Sequence, residues 1–368
     1  MNKLKVIVVV GTRPELIRLS RILSIFENNL DLVLVHTGQN YDARLNKIFF
    51  EDLGISKPRY SLNCAGKTAA QTIANSIIEV DKILAIENPD AFLILGDTNS
   101  ALSSISAKKR KIPIFHLEAG NRCFDLRVPE EINRKVVDHL ADINLTYSTL
   151  AKNNLVSEGI RSDKIIKVGS PMREVLDFYR EKIFDSKILE EFNLSIKKYF
   201  LFSAHREENV DSMPRLKMIC QIIDGIAGRY GHEVVFVVHP RTRQKLNQLG
   251  HSFSQSVKLV EPLNFTDYVF LQLNSTVVIS DSGTINEESS ILKFKAINMR
   301  ETHERPEAME VGAVPFSGLN IDRMYQIIDI ILNENVWEEE VNDYKYKNVS
   351  KTVLRVILSY LDYAKIKY

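Results

Sequence analysis

The feature that most constrains this chain is a series of short, unbroken apolar runs, each followed by an amphipathic stretch of helical period. Residues 6–11, 32–37, 92–97, 114–119, 143–147 and 165–169 form one series, and 199–204, 234–239, 257–261, 276–280 and 296–299 form a second. Strands that are apolar at every position are buried on both faces, as in parallel sheets covered by helices. Stretches such as 14–26, 68–86 and 216–229 supply the helical crossovers. The alternation runs twice over 368 residues, more than one core usually holds. The expectation is an α/β chain of two Rossmann-like, doubly wound domains facing a cleft. The break is expected at Val168-Gly169-Ser170-Pro171, dividing the chain into 1–170 and 171–368. The closing helical pattern, 342–368, is a candidate to cross back onto the first domain.

Charge narrows the partners. Lys plus Arg number 48 and Asp plus Glu 47, so no global field attracts nucleic acid or an anionic membrane, and any anion is caught locally. Cys64, Cys123 and Cys220 show no paired spacing, which suits a reducing compartment and argues against a disulfide framework or a zinc site. No apolar stretch approaches the ~18 residues of a membrane span, and residues 5–10 are too few for a secretory h-region. The expected location is cytoplasmic. Neither GxGxxG nor GxxxxGK[ST] occurs, so nicotinamide and P-loop nucleotides lack support.

In open α/β sheets ligands sit outside the carboxyl ends of the strands, and polar residues gather there in this sequence. The first run ends in Gly11-Thr12-Arg13-Pro14-Glu15, where free helix N–H groups with Arg13 and Arg18 suit an anion. Two further runs end in Gly96-Asp97-Thr98-Asn99 and Glu118-Ala119-Gly120-Asn121-Arg122, and Pro129-Glu130-Glu131-Ile132-Asn133-Arg134 opens another helix. Taken singly, Asp97 and Glu130 read as helix caps or first-turn acids. Together, Asp97, Glu118 and Glu130 form an acidic rim in which one carboxyl can act as acid and another as base, with Arg122 and Arg134 beside them. In the second half His205 follows a strand, and His239-Pro240-Arg241 repeats the arrangement. Ser282-Gly283-Thr284 precedes a helix whose N-terminus suits a diphosphate. Glu288, one turn in, can accept both hydroxyls of a ribose, and Arg305 supplies a phosphate partner.

These segments resemble the non-hydrolysing UDP-N-acetylglucosamine 2-epimerases. The matches are Gly11-Thr12-Arg13-Pro14-Glu15, Gly96-Asp97-Thr98, Glu118-Ala119-Gly120-Asn121-Arg122, Pro129 to Arg134, His205-Arg206-Glu207-Glu208-Asn209, Asp281-Ser282-Gly283-Thr284 through Glu288, and Glu304-Arg305-Pro306-Glu307. The resemblance implies a GT-B fold, a homodimer, and no metal or nicotinamide cofactor. It implies elimination of UDP with loss of the C2 proton, a 2-acetamidoglycal, and re-addition after protonation of the other face. Asp97, Glu118 and Glu130 then look like the acid/base carboxylates, and His205 like the group beside the departing diphosphate. Arg13, Arg18, Ser282, Gly283, Glu288 and Arg305 look like nucleotide contacts, with His239 and Thr284 in the same region and Arg134 and Gln39 near the sugar. Departures from the common pattern, at Thr284, Glu207, His303 and Asn121 to Asp125, resemble the capsule and O-antigen branch that makes UDP-N-acetyl-L-fucosamine. The alternatives are UDP-GlcNAc/UDP-ManNAc interconversion, a GT-B glycosyltransferase and a non-catalytic nucleotide-sugar sensor.

Overall fold

A computed structural model describes residues 3–38, 50, 52–302, 304–335 and 339–365; Gln39 and His303 lie outside the described residues. Among these residues twelve strands form two wholly parallel sheets. The chain divides into two compact units, Met1–Asp177 with Asp343–Tyr368, and Phe178–Asn342.

In the first unit the strands are β1 (Lys5–Val10), β2 (Asp31–His36), β3 (Tyr60–Ser61), β4 (Ala91–Leu95), β5 (Ile114–Leu117), β6 (Ile143–Thr146) and β7 (Ile165–Lys167), in the order β3-β2-β1-β4-β5-β6-β7. The first crossover shows how the sequence dictates the build. Thr12 is extended (φ −137°), Pro14 lies in the first turn, and the helix Arg13–Asn29 follows. Leu16, Leu19, Ile22, Leu23 and Phe26 recur at helical spacing and are fully buried, each contributing about 1.5–3 kcal/mol of transfer free energy. β3, not expected from the sequence, is two residues at a sheet edge, paired Val35↔Tyr60 and His36↔Ser61. It is too short to write an apolar run.

The second unit holds β8 (Tyr199–Ser203), β9 (Glu233–Val237), β10 (Val257–Val260), β11 (Val278–Ser280) and β12 (Ala296–Asn298), ordered β10-β9-β8-β11-β12. The helix Met213–Tyr230 lays Leu216, Ile219, Ile223 and Ile226 onto Phe200, Phe202 and Phe236. It stops at Gly231 in the left-handed region (φ 63°), where glycine carries no Cβ penalty.

The division differs from the break expected at residues 169–171. The helix Met172–Phe178 begins inside the first unit, where Glu174 accepts the N–H of Ser350 (2.9 Å). Gly169 (φ 84°) sits where a Cβ would lie 2.3 Å from the Tyr346 ring. The closing helix Val349–Lys365 belongs to the first unit, held by Tyr363 on Asp163 and by Lys365 on Asp90 (3.3 Å). Among the described residues no helix is long and apolar enough to cross a membrane.

Each sheet has one point where the strand order reverses: between β1 and β4 in the first, and between β8 and β11 in the second. Helices leave in opposite directions there and open a crevice at the carboxyl ends. The residues that follow β1, β4 and β5, and those that follow β8 and β11, are thereby set where a ligand can reach them.

Candidate active site

At the first reversal Glu15 turns back on its own helix N-terminus. Its Oε2 accepts the N–H groups of Gly11 (2.8 Å) and Thr12 (2.7 Å) and the Thr12 hydroxyl (2.9 Å), while Oε1 accepts the Thr98 hydroxyl (2.9 Å). One buried carboxyl thus ties the turn after β1 to the turn carrying Asp97. Burial pushes this carboxyl from 4.5 up to about 7, against the lowering by those hydrogen bonds. Between those values the folded chain keeps a proton that the unfolded chain has lost. The stability it contributes is complete below pH 4.5 and is lost as pH rises through about 7, by up to about 3 kcal/mol. Denaturant titrations of wild type and Glu15→Gln across pH 4.5–8 check this: wild type should lose stability relative to the variant as pH rises. Parallel curves would refute it.

Asp97 follows Gly96 (φ 70°) at the end of β4. Arg134 grips its carboxylate through Nε (2.8 Å) and Nη2 (2.5 Å), and Asn133 holds its carbonyl (2.9 Å). The other Arg134 nitrogen reaches Glu131 (3.0 Å), which is fully buried and also accepts the N–H groups of Cys123 (3.1 Å) and Phe124 (3.3 Å). Glu130 lies half-buried in the first turn of the helix Pro129–Leu140, one turn ahead of Arg134 and so on the same face.

Glu118 follows β5, the strand next to β4. It is a non-glycine residue at φ 70°, a conformation costing on the order of 1 kcal/mol or more that persists where its surroundings enforce it. Here its N–H is fixed on Leu145 O (3.0 Å), and its carboxylate receives Arg18 and Asn121 (3.3 Å). Arg18 is itself buried, its guanidinium 5.8 Å from the Tyr147 ring centre. Two carboxylates at adjacent strand ends therefore each have an arginine partner.

In the second unit the organising group is Asp281, fully buried just after β11. It accepts the N–H groups of His205 (3.1 Å) and Arg206 (3.0 Å) and the Asn209 amide (2.9 Å), and lies 3.1 Å from His205 Nδ1. The exposed His205 ring is therefore oriented from behind through Nδ1. Ser282 and Thr284 share a hydroxyl contact (2.9 Å) ahead of the helix Ile285–Leu292. A Cβ on Gly283 would lie 3.0 Å from Arg305 Nη1, so this loop and Arg305 meet. Arg305 also reaches Glu287 (3.6 Å), and Glu288 is steadied by Gln272 (2.7 Å). His239 is exposed at the end of β9, and its Nδ1 accepts the Arg241 N–H (3.4 Å) as a helix cap. Arg13 is half-buried at the start of its helix.

Sequence reasoning passed over Asp281, Glu131 and Gln272 as site residues. The first two adjoin residues that it selected. Gln272 is a polar side chain, 1% exposed, set between Leu271 and Leu273 in the helix Phe265–Asn274. Among the described residues no group of three or more His, Cys, Asp or Glu side chains converges to hold a metal ion.

A family model described as UDP-N-acetylglucosamine 2-epimerase matches residues 25–358. The chain belongs to the UDP-N-acetylglucosamine 2-epimerase family. A solved UDP-N-acetylglucosamine 2-epimerase from Rickettsia bellii is 45% identical, with a TM-score of 0.90 and 98% of each chain covered. That from Methanocaldococcus jannaschii, solved with UDP-GlcNAc and UDP, is 34% identical, with a TM-score of 0.91 over 97% of this chain and all of that one. A UDP-2,3-diacetamido-2,3-dideoxy-D-glucuronate 2-epimerase of Pseudomonas aeruginosa is 32% identical, covering 91% of this chain and 94% of its own. As a member of the UDP-N-acetylglucosamine 2-epimerase family, the chain is an isomerase acting on a UDP-linked amino sugar, with the GT-B-like α/β fold of these neighbours.

Proposed function

We propose that this chain inverts C2 of a UDP-linked N-acetylated amino sugar by eliminating and re-adding UDP. Among Asp97, Glu118 and Glu130 one carboxylate takes the C2 proton. The C–H electron pair becomes the C1=C2 bond of a 2-acetamidoglycal, and the C1–O bond breaks to release UDP. Another of these groups, in its protonated form, delivers a proton to the opposite face of C2 as UDP adds back to C1, and exchange with solvent returns both carboxyls to their starting states, so atoms and charge balance. The departing diphosphate meets His205, Arg305 and the loop Ser282-Gly283-Thr284, while Glu288 takes the ribose hydroxyls; growing negative charge needs such partners if UDP is to leave. Arg13 and Arg18 add cationic contacts, with Arg134 beside the sugar. The observation that carries this reading is the pairing of Asp97 and Glu118 with Arg134 and Arg18 at the carboxyl ends of adjacent strands.

The sugar we favour is UDP-2-acetamido-2,6-dideoxy-L-talose, converted to UDP-N-acetyl-L-fucosamine for capsule or O-antigen synthesis by a cytoplasmic homodimer. The departures at Asn121 to Asp125, Glu207 and Thr284 support this branch. A relative named for a diacetamido-glucuronate supports a family in which sugar substituents vary. UDP-GlcNAc/UDP-ManNAc interconversion is the second reading, favoured by the name of the 45% identical Rickettsia bellii structure. Incubation with each nucleotide sugar, following C2 by NMR, separates them. The 6-deoxy-L-sugar should be converted, with UDP-GlcNAc slower by about 10-fold or more. The reverse preference would overturn the L-sugar assignment.

A further inference from the structure

Beneath the turns that carry Asp97 and Glu118 lies a buried polar chain that the mechanism above does not use. His116, on β5, is fully buried, and its Nε2 lies 2.9 Å from the carbonyl of Gly96, the residue before Asp97. Its Nδ1 lies 2.9 Å from Asp138 Oδ1, on the helix that also bears Glu130 and Arg134. Asp138 accepts the N–H of Gly120, two residues after Glu118 (3.2 Å), and pairs with Arg122 (2.7 Å). Arg122 in turn holds Glu158 through Nε (2.8 Å) and Nη2 (2.6 Å). Gly120 cannot be replaced without moving this turn: its φ is 84°, and a Cβ would lie 2.2 Å from Ala151 O.

A carbonyl only accepts, so Nε2 of His116 must donate to Gly96. Nδ1 faces Asp138, which also receives Gly120 and Arg122. One rigid ring therefore bridges the turn that presents Asp97 and the group that fixes the turn after Glu118. Gly96 sits in the left-handed region with open space where its Cβ would be; its N–H is held by Leu117 O (2.9 Å) and its carbonyl by the hydrogen bond from His116.

We infer that His116, with Asp138 behind it, is a positioning residue that fixes the turn presenting Asp97 for proton transfer at C2. The inference rests on the role proposed for that carboxylate. A misplacement near 1 Å can cost on the order of 10²-fold in rate, so loss of the Gly96 tie should appear in kcat, leaving nucleotide affinity alone.

The two amide replacements separate the two ends of the ring. Gln places its amide nitrogen near the position of Nε2, and Asn near that of Nδ1. His116→Gln keeps the donor to Gly96, whereas His116→Asn keeps the contact with Asp138 and releases Gly96. Each loses one buried hydrogen bond, so their melting temperatures should fall together. His116→Asn should lose about 10- to 100-fold in kcat while His116→Gln stays within about threefold of wild type, both binding UDP as wild type does. Equal losses in the two variants, the opposite order, or a loss of UDP affinity in place of kcat would overturn the inference. Should His116→Asn not fold, side-chain 15N NMR of the wild-type protein, with the signal identified by its absence in His116→Gln, must show Nε2 protonated; an unprotonated Nε2 would overturn it. If Asp97→Asn keeps full activity, the underlying reading fails. If Asp97→Asn is inactive while His116→Asn is not impaired, this inference alone fails.

Discussion

Asp97→Asn should lower kcat by about 10²- to 10⁴-fold, the range contributed by a positioned acid or base, with UDP affinity unchanged. The substitution keeps the shape and one acceptor oxygen for Arg134. It does not strand that arginine, because Glu131 still faces it at 3.0 Å. Stability should therefore change little, and steady-state kinetics with calorimetric UDP titration reads the catalytic term by itself. Glu118→Gln is a poorer probe for a reason visible in its contacts. Its partner Arg18 is buried with a side-chain exposure of 3%, and removing one member of such a pair costs about 3–5 kcal/mol through the charge left behind. A Glu118→Gln variant will mix instability with lost chemistry. An Asp97→Asn variant with wild-type kcat would remove Asp97 from the mechanism.

The second large effect is expected at Asp281, which no substrate atom needs to touch. Asp281→Asn should lower kcat by at least about 10²-fold, because an amide can present its NH₂ to the His205 ring and reverse which nitrogen carries the hydrogen; the same substitution in a serine-protease triad costs about 10⁴-fold. The backbone N–H groups of His205 and Arg206 converge on this carboxylate, so a stability loss of about 1–3 kcal/mol should accompany it. A double-mutant cycle identifies the route. If Asp281 acts through His205, Asp281→Asn in a His205→Ala background should cost little further kcat. Independent, additive losses would mean that Asp281 works by another path.

The sequence made the frame legible because parallel strands covered by helices write themselves as short, mostly apolar runs, and eleven of the observed strands lie where such runs stand. The turns after β1, β4, β5, β8 and β11 were legible because Gly, Asp, His and Ser gather where an apolar run stops. Pairings across long separations were not. Nothing local announces that Glu15 meets Thr98, that Asp138 sits under His116, or that Glu174 binds Ser350. A strand end in Gly169-Ser170-Pro171 reads locally as a break, whereas the last of these contacts joins the helix that follows it to a residue 176 positions away in the same unit. The left-handed backbone of Glu118 was equally hidden, since glutamate has no preference for it and only the surrounding hydrogen bonds impose it.

Solvent isotope exchange tests the central claim most directly. With nucleotide sugar in heavy water, wild-type protein should return both epimers carrying one solvent deuterium at C2, and Asp97→Asn should slow that incorporation in step with kcat. Inversion of C2 without solvent deuterium, or exchange undiminished in Asp97→Asn, would contradict proton transfer by these carboxylates.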